Sequence, residues 1–285
     1  MTTALYALDY NDTRSEGTTA SPIKQDKRQR VTEAEYWEKY YNAPLVTYEW
    51  NNGYLEEKAV SDLITYSMYK WFFKLIEHYL TTHRMAETTG LEMGFRLTLP
   101  NSTEIRRPDL GVVLNSNSVP LLPDDRSYKG TFDLCVEAIS DSTKKEIERD
   151  TVSKKWEYAE GGVKEYYILD GYDRYLEFYR LNAKGVYMPI KPTKGGIIKS
   201  KVLPGFQFRR EDLFNKPSPE EMIDDKVYKR FVLPGYSEEK RARLQAEASA
   251  SEEKRARLQF EQRALEAEAE NARLKALLEK LQKAR

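Results

Sequence analysis

The sequence predicts an α/β domain followed by a long charged helix, and three observations carry this. Leu63, Met68, Trp71, Phe72, Leu75 and Tyr79 recur at helical spacing between about Ser61 and Thr82. Two apolar strand-like runs, Arg-Arg-Pro-Asp-Leu-Gly-Val-Val-Leu (106–114) and Phe-Asp-Leu-Cys-Val-Glu-Ala-Ile-Ser (132–140), each carry an embedded acid. Near the C-terminus, Ser-Glu-Glu-Lys-Arg-Ala-Arg-Leu-Gln starts at Ser237 and again at Ser251, two heptads later. The 20 Tyr and 10 Phe favour a core that contains a sheet.

Residues 1–31 form a polar segment with Ser/Thr clusters and a basic patch at 24–30, expected to be a flexible arm. Order is expected from Thr32, which with Glu35 makes a capping box ahead of a short helix rich in Tyr and Trp. Tyr48–Glu56 reads as a hairpin, because Asn52-Gly53 suits the positive φ angles of a primed turn. After the long helix, two strands are expected at 89–99 and 104–114, separated by the Pro100-Asn101 turn. A loop with Pro120, Pro123 and Gly130 leads to a strand at 132–139. Asp141-Ser142-Thr143 offers a cap for a helix running to Glu160, where Gly161-Gly162 stops it. Strands at 165–170 and 174–181, further β-structure at 186–208 and short helices at 210–226 complete a domain spanning 32–236.

The segment 237–285 is expected to be a charged helix or coiled coil. Phe260, Ala267, Leu274 and Leu281 share one heptad position, while Ala264, Asn271 and Leu278 lie four residues later. This is the period of a coiled-coil seam, with an Asn that can set register. Upstream the seam carries Arg257, Glu253 and Ala246, so a homodimer is expected to form through 257–285. The alternative is a single helix held by Glu/Lys and Glu/Arg pairs.

Composition narrows the chemistry. The single cysteine, Cys135, excludes an intrachain disulfide and fits a small core residue. With only His78 and His83, zinc centres built from His and Cys, a Ser-His-Asp triad and an HNH centre lack parts. No phosphate-cradling glycine loop appears. No apolar run reaches membrane-spanning length and no export leader is seen, so a cytoplasmic protein without membrane contact is expected. The formal net charge of zero argues against unspecific coating of DNA and leaves room for a local basic groove.

Asp109 and Glu137 are the candidate acids. On neighbouring strands, about 5 Å apart, two carboxylates repel unless a proton or a divalent cation relieves them. Pro108 disturbs the strand before Asp109 and can turn that carboxylate toward a cleft. Glu137 either serves such a site, faces solvent, or pairs with Arg106 or Arg107. Asp150, Lys154 and Tyr158 are spaced four apart and share a helix face. Lys154 is a candidate for stabilising charge beside the acids, or is simply solvated. Hard oxygen ligands with a nearby lysine suit Mg²⁺-assisted attack on a phosphodiester.

In order, Pro108-Asp109, Glu137-Ala-Ile-Ser-Asp-Ser-Thr, Asp150-x-x-x-Lys154-x-x-x-Tyr158 and Gly162-Val-Lys-Glu-Tyr-Tyr-Ile-Leu-Asp170 resemble the Uma family, bacterial proteins classed with restriction endonucleases of the PD-(D/E)XK nuclease superfamily. The hairpin Tyr48-Glu49-Trp50-Asn-Asn-Gly53 and Leu203-Pro-Gly-Phe206 match the same pattern, and the resemblance covers about 32–215. It implies a restriction-endonuclease-like core with a central mixed sheet flanked by helices. Asp109 and Glu137 match the metal-binding acids, and Glu49 matches a recurrent hairpin acid that could join them. The superfamily's usual lysine position holds Ile139, and Lys154 matches a lysine moved to the helix. A histidine often found at the start of the long helix is missing, where the sequence reads Val60-Ser61-Asp62.

Two functions are therefore expected. The first is a DNA endonuclease dependent on Mg²⁺ or Mn²⁺, with Asp109 and Glu137 holding the ion and Lys154 positioning the attacking water. The second is a catalytically inactive nuclease-fold module that binds DNA or recruits a partner and dimerises through its coiled coil.

Overall fold

The computed structural model describes residues 29–58, 61–90, 93–139 and 143–283; the side chains of 237, 238, 272 and 276–283 lie outside the description. The polar arm therefore falls outside it up to residue 28. Gln29 and Arg30 already belong to the folded body: Leu55 N–H donates to the Gln29 carbonyl at 3.0 Å, and Arg30 bridges to Tyr54.

Helix α1 (Glu33–Glu35) opens with the expected Thr32/Glu35 capping box and runs into a π-helical turn, Tyr36–Tyr40. Strands β1 (Tyr48–Asn51) and β2 (Tyr54–Glu57) form the hairpin, with Asn52 at φ 42° and Gly53 at φ 97°, as a primed turn requires. Asp62 caps α2 (Leu63–Thr82), the long helix. The two strands expected at 89–99 and 104–114 are in fact four: β3 (Ala86–Thr89), β4 (Phe95–Thr98), β5 (Thr103–Arg106) and β6 (Leu110–Leu114). The break after Arg106 has a local cause, because Pro108 cannot donate to a ladder. It lets β5 pair with β4 and β1 in one sheet while β6 pairs with β3 in another.

Next come β7 (Leu134–Ala138), α3 (Lys144–Glu148), a π-helical turn (Arg149–Ser153) and α4 (Lys154–Glu160). Thr143 caps α3 as expected; Asp141 and Ser142 lie outside the described residues. The expected single helix is thus interrupted by the π turn, which carries Asp150. Gly161 closes α4 and Gly162 follows at φ 82°. Strands β8 (Glu165–Leu169), β9 (Glu177–Leu181), β10 (Tyr187–Pro189), β11 (Ile197–Lys199) and β12 (Gln207–Arg209) precede α5 (Asp212–Asn215), α6 (Pro219–Met222) and α7 (Pro234–Lys283). The last helix begins three residues before the first repeat.

The central sheet is mixed, in the order β10-β9-β8-β7-β6-β3, with β7 and β8 parallel and the other pairs antiparallel. Buried residues of α2, among them Phe72, Leu75 and Tyr79, pack on one face with Leu110, Val136 and Tyr167. The other face, with Cys135, Ile139, Tyr166 and Ile168, packs against Tyr158 of α4 and Phe95 and Leu97 of β4. Glu137 shares the parity of Cys135 and Ile139, so it faces α4. Cys135 is a buried core residue. Among the described residues no helix is long and apolar enough to cross a membrane.

Candidate functional site: a buried ionic cluster under the hairpin

The β6–β7 register pairs Leu110 with Val136, which sets Asp109 opposite Glu137 at the strand ends. Asp109 is fixed at both oxygens. Its Oδ2 accepts the Ala138 N–H at 2.6 Å, and its Oδ1 lies 2.8 Å from the Lys58 ammonium. Lys58, just past β2, also donates to the Arg107 carbonyl at 2.6 Å. Tyr69 of α2 donates to the Asp109 carbonyl at 2.9 Å.

Lys154 is completely buried, and its Nζ lies 3.0 Å from Glu137 Oε1, 3.1 Å from Glu49 Oε1 and 3.1 Å from Asp150 Oδ1. These are ion pairs whose angles fall short of hydrogen-bond geometry. Tyr158 donates to Glu137 Oε1 at 2.7 Å. The helix stripe Asp150–Lys154–Tyr158 thus converges on Glu137. Neither alternative for Glu137 holds, since it is 2% exposed and its partner is Lys154 rather than Arg106 or Arg107.

Arg106 of β5 joins the four-stranded sheet to α4. It is fully buried, grips Glu157 with two hydrogen bonds of 2.6 and 2.7 Å, and reaches Glu56 at 2.8 Å and Glu49 at 3.2 Å. Glu49 also accepts the Arg107 N–H at 2.9 Å. Burial alone would push both Glu49 and Glu137 up. At Glu49 the charges of Lys154 and Arg106 outweigh burial and hold its carboxyl well below the usual carboxylate range. At Glu137 burial wins over Lys154 and Lys58, and the charges of Asp109 and Asp150 push it further up. Burial works against the Lys154 ammonium, but Asp150, Glu137 and Glu49 more than offset it, so the lysine stays charged.

The structure therefore gathers all four sequence candidates, Asp109, Glu137, Lys154 and Glu49, into one cluster, although Glu49 is spent on cations. Lys58, Glu56 and Glu157 gave no sequence signal. Arg106, weighed as a partner of Glu137, instead meets Glu157, Glu56 and Glu49, because its strand belongs to a second sheet that could not be foreseen. Among the described residues, no three His, Cys, Asp or Glu side chains converge as a ready metal-ligand group. A cleft of about 690 Å³ lies beside the cluster, lined in part by Glu56, Glu57, Lys145 and Arg149.

Comparison with known proteins agrees with this architecture. A crystal structure from Anabaena variabilis, titled a "putative nuclease belonging to DUF820", is similar at a TM-score of 0.50 and 13% identity, covering 65% of this chain and 98% of that one. At that identity the likeness speaks for the fold. No curated protein matches the chain significantly. The family model Uma2, described as "Putative restriction endonuclease", matches residues 34–211, the stretch that holds every residue of the cluster, and the chain belongs to that family.

Proposed function

We infer that the protein is a metal-dependent endonuclease that hydrolyses phosphodiester bonds of DNA, with Mg²⁺ or Mn²⁺ as its ion. The observation that carries the reading is the facing pair Asp109 and Glu137, each held by its own donor at the end of adjacent strands.

The donor chemistry fits a hard divalent ion. Carboxylate oxygens are what such ions take, and ligands missing from the side chains can come from backbone carbonyls and water. The Lys58 ammonium on Asp109 Oδ1 marks where positive charge is stabilised. Asp109 and Glu137 would hold the ion, with the carbonyl of Ala138 or Ile139 beside them. Glu49 is better suited to hold Lys154, because its oxygens already face Lys154, Arg106 and the Arg107 N–H. When bound, the ion supplies Lewis-acid charge and lowers the pKa of a bound water.

The protein groups do the positioning. Tyr158 and Lys154 orient Glu137 through the same oxygen, and the Ala138 N–H orients Asp109. Lys154 supplies fixed positive charge near the acids, where negative charge builds on a phosphate under attack. Its anchoring by three carboxylates keeps it protonated throughout.

One observation favours the second reading, a nuclease-fold module that does not cut: lysines already neutralise both acids. Cleavage of supercoiled plasmid separates the two. The full chain is assayed with Mg²⁺, with Mn²⁺ and with chelator, beside Glu137→Gln. Nicking or linearisation that needs metal and vanishes in the variant is expected. Cleavage retained by a folded Glu137→Gln protein refutes the assignment, and a wild type that binds plasmid but never cuts it favours the module.

A further inference from the structure

The loop after β8 lies at the same edge of the central sheet as the acid pair. Leu169 is the parallel partner of Ala138, whose N–H holds Asp109, so Asp170 and the loop begin beside the site. Helix α2 ties the two together. Thr65 Oγ1 accepts the Gly171 N–H at 3.1 Å, and Tyr69, one turn later, donates to the Asp109 carbonyl at 2.9 Å. The loop and Asp109 are thus held by adjacent turns of one helix, which rises about 5.4 Å per turn.

This loop is built to hold its shape. The fully buried Asp170 carboxylate accepts the N–H groups of Tyr172, Arg174 and Tyr175 at 2.9, 2.7 and 2.8 Å. Asp173 adopts φ 61° and is held by Arg210 at 3.0 Å. A Cβ on Gly171 would come within 2.8 Å of the Thr65 backbone nitrogen, so the loop is pressed onto α2 with no room for a side chain.

Such fixing presents rings to solvent rather than hiding them. Tyr172 is 47% exposed and Tyr175 36%, and the Arg174 guanidinium lies over both rings, 4.7 and 5.8 Å from their centroids. Tyr66, on the adjoining turn of α2, is 49% exposed. Pre-set aromatic rings interleaved with a guanidinium suit unstacked bases and their phosphates, because every base has a π-face and each step carries a charge.

We propose that the Tyr172–Arg174–Tyr175 loop is a stacking platform for unpaired bases of a nucleic-acid strand, which it lays beside the Asp109/Glu137 pair. The proposal rests on the nuclease reading and adds the substrate feature to it: a strand whose bases are unstacked at the site.

The test measures binding without cleavage. Fluorescence anisotropy of a short labelled oligothymidylate is followed with the full chain in chelator, for wild type, Tyr172→Ala/Tyr175→Ala, Tyr172→Phe/Tyr175→Phe and Tyr236→Ala as an exposed tyrosine elsewhere. The double alanine variant is expected to bind at least about thirtyfold more weakly, with the Phe and Tyr236 variants near wild type. Plasmid cleavage by the same proteins in metal separates the two ideas. If wild type binds and cuts while the alanine variant does both equally well, the platform is overturned and the nuclease stands. If wild type neither binds nor cuts, both fall.

Discussion

Replacing Lys154 by Met tests the logic of the cluster most directly. The side-chain volume is roughly kept, but the ammonium that faces Glu49, Glu137 and Asp150 within 3.1 Å disappears. Glu49 retains Arg106, and Asp150 retains Arg149, whose Nε lies 3.4 Å away. Glu137 retains the Tyr158 hydroxyl. Breaking a buried ion pair from one side costs about 3–5 kcal/mol, because the remaining charge is left in a poor solvent. For a body of this size that corresponds to a fall in Tm of roughly 6–20 °C, at about 2–4 °C per kcal/mol.

The pH dependence has a definite sign. Burial already raises Glu137 above its ordinary value, and losing Lys154 raises it further. An acid whose folded-state pKa is raised binds its proton more tightly when folded, so the variant loses stability as pH rises through that value. The deficit against wild type is therefore expected to be largest near pH 8 and smaller near pH 5.5. The four tryptophans, at 37, 50, 71 and 156, all lie outside α7, so urea melts followed by tryptophan fluorescence report on the body. The second change Glu137→Gln in the Lys154→Met background is expected to recover part of the loss at pH 8. A deficit below about 1 kcal/mol, or one that does not vary with pH, refutes the reasoning.

Two further outcomes are expected. Glu104, on β5, is 3% exposed, leaves its Oε2 without a partner, and is pushed by burial from 4.5 up to about 7. Its folded-state proton means that stability falls as pH rises from about 4.5 to about 7. Glu104→Gln is thus expected to stabilise the protein by about 1–3 kcal/mol above pH 7, after discounting for solvent screening, and to change little at pH 4; thermal melts at both pH values check this, and no gain at pH 8 counts against it. On α7, the seam residues Phe260 and Leu274 are 74% and 52% exposed, which fits a helix that pairs with a second copy. Sedimentation equilibrium is expected to give a dimer for the full chain and a monomer of the folded body for a chain ending before Ser237; monomers in both cases dispose of the coiled-coil dimer.

Signals confined to a few neighbouring residues were legible in the sequence. The Thr32/Glu35 box, the Asn52-Gly53 turn, the α2 periodicity and the Gly161-Gly162 stop are local, and they appear where they were expected. Asp109, Glu137 and Lys154 were legible as candidates because acids in apolar strands and a lysine on a four-residue stripe stand out against their surroundings. What those charges would face was decided by tertiary packing. Pro108 divides one expected strand between two sheets, and this division carries Arg106 onto Glu157 and brings Glu49, Glu56 and Lys58 over the site. Each of these contacts joins residues about fifty or more positions apart, so no local pattern encodes them. The affinity of a buried charge for its partner depends on which oppositely charged group the folded sheets bring within about 3 Å, and only the closed structure sets that distance.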